Sequence, residues 1–124
     1  MLNLFAIFLG GGIGAVLRYL AGLYFSANFR MNMPASTFIV NILGSFILGF
    51  LYILFIDKPE INTELKVALT VGFCGGFTTF STFSLEIFEM LGNSNFYQAG
   101  LYILASLLFG LIAVGLGVYC AKLL

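Results

Sequence analysis

The sequence of 124 residues contains no histidine, no tryptophan and only two cysteines, and its charged residues are five basic and five acidic. Charged residues make up 8% of the chain, against about 25% in a typical soluble domain. Because histidine is absent and Cys74 and Cys120 are isolated in apolar sequence, neither a zinc site nor a redox-active thiol pair is predicted. We expect both cysteines to be small buried apolar side chains.

The same shortages exclude several classes of function. A net charge of zero provides no basic surface for nucleic acid and no acidic tail. No nucleophile with a neighbouring base and no cluster of metal ligands can be assembled. The glycine-rich stretch GFCGG lacks the lysine of a phosphate-binding loop. The sequence therefore predicts neither an enzyme nor a nucleic-acid-binding protein.

Long apolar runs dominate what is present, with 61% hydrophobic residues and a mean hydropathy of +1.11. The runs at 4–25, 37–56, 65–91 and 96–123 each have the ~20 residues needed to cross a bilayer. Short loops connect them, so we predict an all-α membrane protein with a single four-helix domain over 1–124. The first run has no basic leader and no cleavage site, so we expect it to be retained as a membrane span.

Few basic residues are available to fix the orientation in the membrane. Lys58, Lys66 and Lys122 are predicted on the same side as the N-terminus, Arg30 on the opposite side, and Arg18 near the far end of the first helix. Basic residues close to helix ends set membrane topology. So small an asymmetry makes insertion in both orientations conceivable.

Small residues recur at four-residue spacing on the first and fourth helices, for example Gly10 with Gly14 and Ala113 with Gly117. This spacing allows helix backbones to approach closely in a membrane. Four helices of this length enclose little interior, so a transport path would require a second subunit. We therefore predict a homodimer.

The stretch GFCGGFTTFSTFSLE (72–86) interrupts the third apolar run. Irregular backbone inside a bilayer is tolerated only where protein buries it or where it lines a wet cavity. Gly72, Gly75 and Gly76 favour a helix break near 75–79, where freed carbonyl oxygens can bind a small hard cation and freed N–H groups an anion. The alternative is that these glycines only permit close helix packing.

Phe77, Phe80 and Phe83 recur every three residues after the glycines. Side chains three apart lie close together on a helix, and a phenyl ring has a positive edge that can meet an anion. Hydroxyl groups between the rings can donate hydrogen bonds to the same ion. In a chain with 15 phenylalanines, the alternative is that each ring simply faces lipid or core. The interleaved hydroxyl residues are Thr79, Ser81, Thr82 and Ser84.

Other polar residues lie inside the apolar runs. Asn41 offers two N–H donors to an anion, with a hydrogen bond between helices as the equally open alternative. Arg18 either extends toward the interface or creates a positive vestibule. Glu86 follows the phenylalanines and is a functional candidate, or else an exposed carboxylate at a helix end. Tyr102 and Ser106, four apart on the last helix, can add hydroxyls to the same path.

Together these residues resemble the CrcB/Fluc family of fluoride channels, small proteins of four transmembrane helices that export toxic fluoride. The resemblance covers the whole chain and rests on GGGIGAVLRY in the first helix, NILGS in the second and GFCGGFTTFSTFSLE in the third. It implies an antiparallel, dual-topology homodimer with two fluoride pores in a microbial plasma membrane. Phe80 and Phe83 match the paired pore phenylalanines, Asn41 the pore asparagine, Arg18 the arginine of helix 1 and Glu86 the glutamate of helix 3.

The resemblance also implies a structural sodium ion on the dimer axis, held by backbone carbonyls at the helix break, and Gly75 and Thr78 match its ligand positions. A pore for fluoride must replace the hydrogen bonds of water without a fixed positive charge strong enough to trap the ion. Neutral donors and ring edges meet both demands. Besides Asn41, the hydroxyl candidates are Ser81, Thr82, Ser106 and Tyr102; the family varies on the fourth helix, so it assigns the last two less directly.

Two other functions are open. A small proton-coupled exporter of the multidrug type has the same size and topology, but it needs a carboxylate deep in the membrane. The nearest acids here, Glu86 and Glu89, lie toward the end of the third helix. A packing subunit that transports nothing would leave the pattern of hydroxyl and phenyl residues unexplained. Fluoride movement without a pH gradient distinguishes a channel from both.

Overall fold

The computed structural model describes residues 1–29 and 34–124. These residues form an all-α fold in which four spans follow one another and the third is broken, as predicted. Arg30, which the orientation argument places opposite the lysines, lies outside the described residues. The elements are α1 (Leu2–Asn28), α2 (Ala35–Asp57), α3 (Thr63–Val67), a π-helical segment (Ala68–Cys74), α4 (Gly75–Phe77), α5 (Phe80–Gly92) and α6 (Phe96–Lys122).

All four spans are long and apolar enough to cross a membrane, with Thr63–Gly92 counted as one span. Many of their outward side chains are large and apolar; Phe8 and Leu111, for example, are 74% and 75% exposed. A surface of this kind is stable only against lipid or against another apolar protein surface. The fold therefore belongs in a bilayer.

Helix α6 packs along α2 through glycines on both helices. Gly49 of α2 lies against the backbone of Val114, and Gly117 of α6 lies against the backbone of Phe46. A Cβ atom at either glycine would overlap a carbonyl oxygen of the other helix. The two backbones are therefore in direct contact, as the four-residue spacing of Ala113 and Gly117 predicts.

Helix α1 packs in the same way against the first half of the third span. A Cβ at Gly10 would overlap the carbonyl oxygen of Ala68, and one at Gly14 would overlap that of Phe73. Both glycines are buried. The close approach fixes the π-helical segment against α1, since neither backbone can withdraw without opening a gap in the core.

The break in the third span lies beyond the glycines that suggested it. Gly75 has ordinary helical angles, φ −64° and ψ −38°, and Gly76 lies inside α4. The extended residues are Thr78, with ψ 159°, and Thr79, with ψ 124°. Gly72 and Gly76 instead lie against the backbone of α1. The predicted break is thus present, while two of its glycines serve the helix packing that was the alternative.

A short turn joins α2 to the third span. Asn62 caps α3, because its side-chain oxygen accepts a hydrogen bond from the N–H of Leu65 at 2.9 Å. Lys66 donates to the carbonyl oxygens of Phe55 at 3.5 Å and Pro59 at 3.4 Å. A cation beside the final carbonyls of α2 also complements the negative end of the helix dipole.

Candidate functional site

The break begins where Thr78 ends the first half of the third span. Its N–H and its hydroxyl both donate to the carbonyl oxygen of Cys74, at 3.0 and 2.7 Å. The backbone then extends for two residues before α5 starts. Because irregular backbone at this depth needs partners within the protein, the hydrogen bonds around Thr78 and Thr79 determine what the break can do.

Asn41 of α2 supplies two of those hydrogen bonds. Its Oδ1 accepts the N–H of Thr79 at 2.8 Å, and its Nδ2 donates to the Thr79 carbonyl oxygen at 3.1 Å. The structure therefore shows the hydrogen bond between helices that the sequence left open. One of the two N–H bonds of Nδ2 is used in this pair, and the other remains for a further acceptor.

Thr79 is also the N-cap of α5. Its Oγ1 accepts the N–H of Thr82 at 3.3 Å and donates to the hydroxyl oxygen of Thr82 at 3.1 Å. The positive end of the α5 dipole thus lies within the membrane span, as in a discontinuous transporter helix. Ser84 donates to the Phe80 carbonyl at 3.0 Å. Ser81 is exposed and lines none of the cavities described below.

The phenylalanine pattern is divided by the break. Phe80 and Phe83 are neighbours on α5, with ring centroids 5.9 Å apart; Phe80 is 78% exposed and Phe83 is 9% exposed. Phe77 belongs to α4 and stacks on Phe73 at 5.6 Å. The prediction of one continuous face of three rings is wrong, because two extended residues separate Phe77 from the other two.

Glu86 lies in a hydrogen-bonded cluster between α2, α5 and α6. Its carboxylate accepts from the Thr37 hydroxyl at 2.5 Å and from the Tyr102 hydroxyl at 2.8 Å. Tyr102 is fully buried, and its ring packs against Phe83 with centroids 5.0 Å apart. Glu86 is therefore not the exposed carboxylate of the alternative interpretation.

Sequence reasoning missed Thr37 as a member of this cluster. The available signal was its position four residues before Asn41, which places both side chains on one face of α2. Without the structure nothing distinguished this hydroxyl from an ordinary polar residue at a helix start. Thr37 and Tyr102 are both buried, so the acceptor in Glu86 is important, because a buried hydroxyl without a partner is costly.

Ser106 lies one turn after Tyr102 on α6. Its Oγ is shielded from solvent and has no hydrogen-bond partner among the described residues. Serine hydroxyls on helices commonly donate to the carbonyl four residues earlier, but this one does not. Among the described residues, Ser106 is therefore a buried donor without an acceptor.

Arg18 of α1 reaches the break from the other side. Its Nε donates to the Gly76 carbonyl oxygen at 3.0 Å. The residue also lines a cavity of about 670 Å³, together with Thr37, Thr79, Thr82 and Glu86 among others. One cavity thus brings together a guanidinium, a carboxylate and several hydroxyl residues beside the helix break.

A second cavity, of about 340 Å³, also borders the break. It is lined by both predicted sodium ligands, Gly75 and Thr78, and by Asn41, Ser45 and Phe80 among others. Nothing lies within 4 Å of the position that a Cβ on Gly75 would occupy. The polar break is therefore open on this face of the single chain.

Comparison with known proteins agrees with this architecture. Residues 5–118 match the sequence model of a family described as CrcB-like protein, Camphor Resistance (CrcB). The chain belongs to the CrcB family. Among CrcB relatives, a protein of Gloeothece citriformis named Fluoride-specific ion channel FluC is 43% identical over 122 residues, which cover 98% of each chain.

Two further relatives carry the same name. The protein of Phocaeicola vulgatus is 42% identical, over 98% of this chain and 100% of its own length. That of Hydrogenobaculum sp. is 36% identical, over 99% of this chain and 100% of its own. With four apolar spans and relatives of this kind in bacteria, this CrcB chain is a multi-pass protein of the cell membrane.

Proposed function

We propose that this protein is a passive, selective fluoride channel that exports toxic fluoride across the cell membrane. The observation that carries the proposal is the near full-length identity of 36–43% with relatives named as fluoride-specific ion channels. The polar helix break inside an apolar span is the physical feature that such a function requires.

The proposed route begins in the cavity that Arg18 lines, where a positive group raises the local anion concentration. Arg18 already donates to the Gly76 carbonyl. Because part of its hydrogen-bonding capacity is used within the protein, Arg18 would bind a passing anion less tightly. The remaining donors are neutral. This arrangement suits a small, strongly hydrated anion that must be bound and then released.

Inside the membrane, fluoride would exchange water for the ring edges of Phe80 and Phe83 and for the free N–H of Asn41. The two rings are adjacent on α5, and Asn41 lines a cavity with Phe80. A bore formed by these groups would exclude chloride by size. The hydroxyl candidates along the route are Ser81, Thr82, Ser106 and Tyr102. The one O–H of Tyr102 donates to Glu86, so Tyr102 would donate to fluoride only by exchanging that acceptor for the ion.

A structural sodium ion fits the break. The helical donors for the carbonyls of Gly75 and Thr78 are the N–H groups of Thr79 and Thr82, four residues later. Both N–H groups donate elsewhere, to Asn41 and to the Thr79 side chain. Two carbonyl oxygens freed in this way are ligands that a hard cation prefers. When bound, the ion would supply a fixed positive charge that holds the break together.

An antiparallel homodimer would cover the open face of the break. In a bilayer, the cavity that contains Asn41, Gly75 and Thr78 must be buried by protein or filled with water. A second copy presents the same residues, as a two-fold interface requires. With few basic residues in the loops, little prevents the two copies from inserting in opposite orientations.

Dual topology gives a prediction that uses paired variants. Asp57→Lys with Glu60→Lys adds basic residues on the N-terminal side, and Asn93→Lys with Asn95→Lys adds them on the other; all four sites are exposed. Each pair should fix one orientation and alone give little fluoride resistance in cells that lack their own channel. Co-expression of the two pairs should restore it. Full resistance from each pair alone would contradict an obligatory antiparallel dimer.

Anion efflux from liposomes that contain the purified protein tests the function directly. We expect fast fluoride efflux and little chloride efflux at matched pH, with the same fluoride rate with and without a proton gradient. Fluoride efflux only in the presence of the gradient would instead indicate the proton-coupled exporter. No efflux from folded protein would indicate a packing subunit.

A further inference from the structure

The carboxamide of Asn41 makes both of its hydrogen bonds to a single residue of the break. Oδ1 accepts from the N–H of Thr79, and Nδ2 donates to the carbonyl of the same residue. The two residues are 38 positions apart in the sequence. The side chain therefore attaches α2 to the third span at two points, one on each side of the Thr79 backbone.

The hydrogen bond that Oδ1 of Asn41 accepts changes the hydrogen bonding within the third span. In an unbroken helix, the N–H of Thr79 would donate to the carbonyl of Gly75. Asn41 takes that N–H instead, and the chain continues in an extended conformation with Thr79 at φ −152°. Gly75 itself remains helical and lines the open cavity. Its carbonyl has thus lost its helical donor at a place with space for a ligand.

We infer that Asn41 is the positioning residue of the sodium site: its Oδ1 withdraws the Thr79 N–H and so leaves the Gly75 carbonyl available to a monovalent hard cation. The inference depends on the structural sodium ion that we propose for the break. The inference assigns the two ends of the Asn41 carboxamide to different ions. Oδ1 acts on the cation through Thr79, whereas the free N–H of Nδ2 serves the anion.

A purely structural role for Asn41 makes a different prediction. If the side chain only pinned α2 to the break, its loss would lower stability equally with and without sodium. If it positions a ligand, its loss weakens sodium binding itself. The sodium concentration at which stability begins to rise separates the two, because a ligand that binds only the folded state stabilises it by RT ln(1 + [L]/Kd), which becomes appreciable once the ligand concentration exceeds Kd.

The experiment measures thermal unfolding of the purified full-length protein over a range of sodium chloride, with N-methyl-D-glucamine chloride keeping the ionic strength constant. In wild type, the unfolding temperature should rise with the logarithm of the sodium concentration once that concentration exceeds the Kd of the site. Asn41→Leu has similar bulk and no acceptor, so the sodium concentration at which this rise begins should be about tenfold higher or more. Leu43→Ala, an exposed change on the same helix, should leave that concentration unchanged.

Asn41→Asp is the second variant, used alone if Asn41→Leu does not fold. It keeps an acceptor for the Thr79 N–H and loses the donor, so sodium stabilisation should persist while fluoride efflux falls. Loss of the sodium effect in folded Asn41→Asp, or a rise that begins at the wild-type sodium concentration in Asn41→Leu, would overturn the positioning role. Absence of any sodium effect in wild type that still conducts fluoride would instead refute the sodium site, and the inference with it.

Discussion

Phe80→Met and Phe83→Met should each slow fluoride efflux from liposomes by about two- to tenfold, because each removes one ring edge from the proposed path. Aromatic pairs in edge-to-face geometry gain about 0.5–1.5 kcal/mol, which is the scale we assume for a ring-edge contact with an anion, and about 1.4 kcal/mol changes a rate tenfold. Methionine is apolar and similar in volume, so it preserves packing better than alanine would. What it lacks is the positive edge of the aromatic ring.

The two positions differ in how cleanly they test this idea. Phe83 is buried against Tyr102, so its replacement also disturbs a packed core. Phe80 is 78% exposed in the single chain, and its replacement leaves that core intact. A lower rate in Phe80→Met with unchanged thermal stability would therefore point to the ring edge itself.

Phe88 provides the matched control. It lies on the same helix, is 73% exposed and takes no part in the cluster around Glu86. Phe88→Met should leave the fluoride rate unchanged. If Phe80→Met and Phe83→Met also conduct at the wild-type rate, ring edges do not coordinate the ion, and the neutral donors of Asn41 and the hydroxyl residues would have to suffice.

The general fold could be predicted because few backbone structures are stable across a bilayer. Apolar runs of sufficient length must become helices when no water is present to satisfy the backbone. A glycine-rich stretch such as GFCGG within such a run therefore favours a break. These arguments need only composition and spacing, and the structure confirms four spans with an interrupted third.

The exact place of the break could not be predicted, because it depends on a distant residue. Gly75 and Gly76 are intrinsically the best candidates for irregular backbone, yet both are helical. The interruption falls at Thr78 and Thr79, where Asn41 competes for a backbone N–H. No local pattern in the third span contains that information. The same limit explains why Phe77 was wrongly grouped with Phe80.

The polar cluster was predicted in part for a related reason. Glu86 and Tyr102 were identified as candidates by their position inside apolar sequence, where polar side chains are expensive. Their direct hydrogen bond and the contribution of Thr37 depend on how α2, α5 and α6 approach one another. Residue type thus indicated which polar side chains are candidates for the site. Which of them form hydrogen bonds with one another depends on the packing of the helices.

Gly14→Ala should lower the free energy of unfolding by about 1–3 kcal/mol, the usual cost of inserting a methyl group into a packed core. A Cβ there would lie 2.7 Å from the backbone nitrogen of Phe77 and would overlap the carbonyl oxygen of Phe73. Both are backbone atoms, so no side chain can rotate away. Helix α1 would have to move, and Arg18 one turn later would lose its bond to Gly76. Fluoride efflux should therefore fall together with stability.

Gly12 is the control that separates this contact from a general effect of alanine. It lies on the same helix, and a Cβ there would meet nothing within 4 Å. Alanine favours a helix over glycine by about 1 kcal/mol, so Gly12→Ala should be neutral or stabilising in a denaturant titration and should conduct normally. If Gly14→Ala proves as stable as Gly12→Ala, then α1 is not locked against the third span by backbone contact, and the break must be held by Asn41 and Arg18 alone.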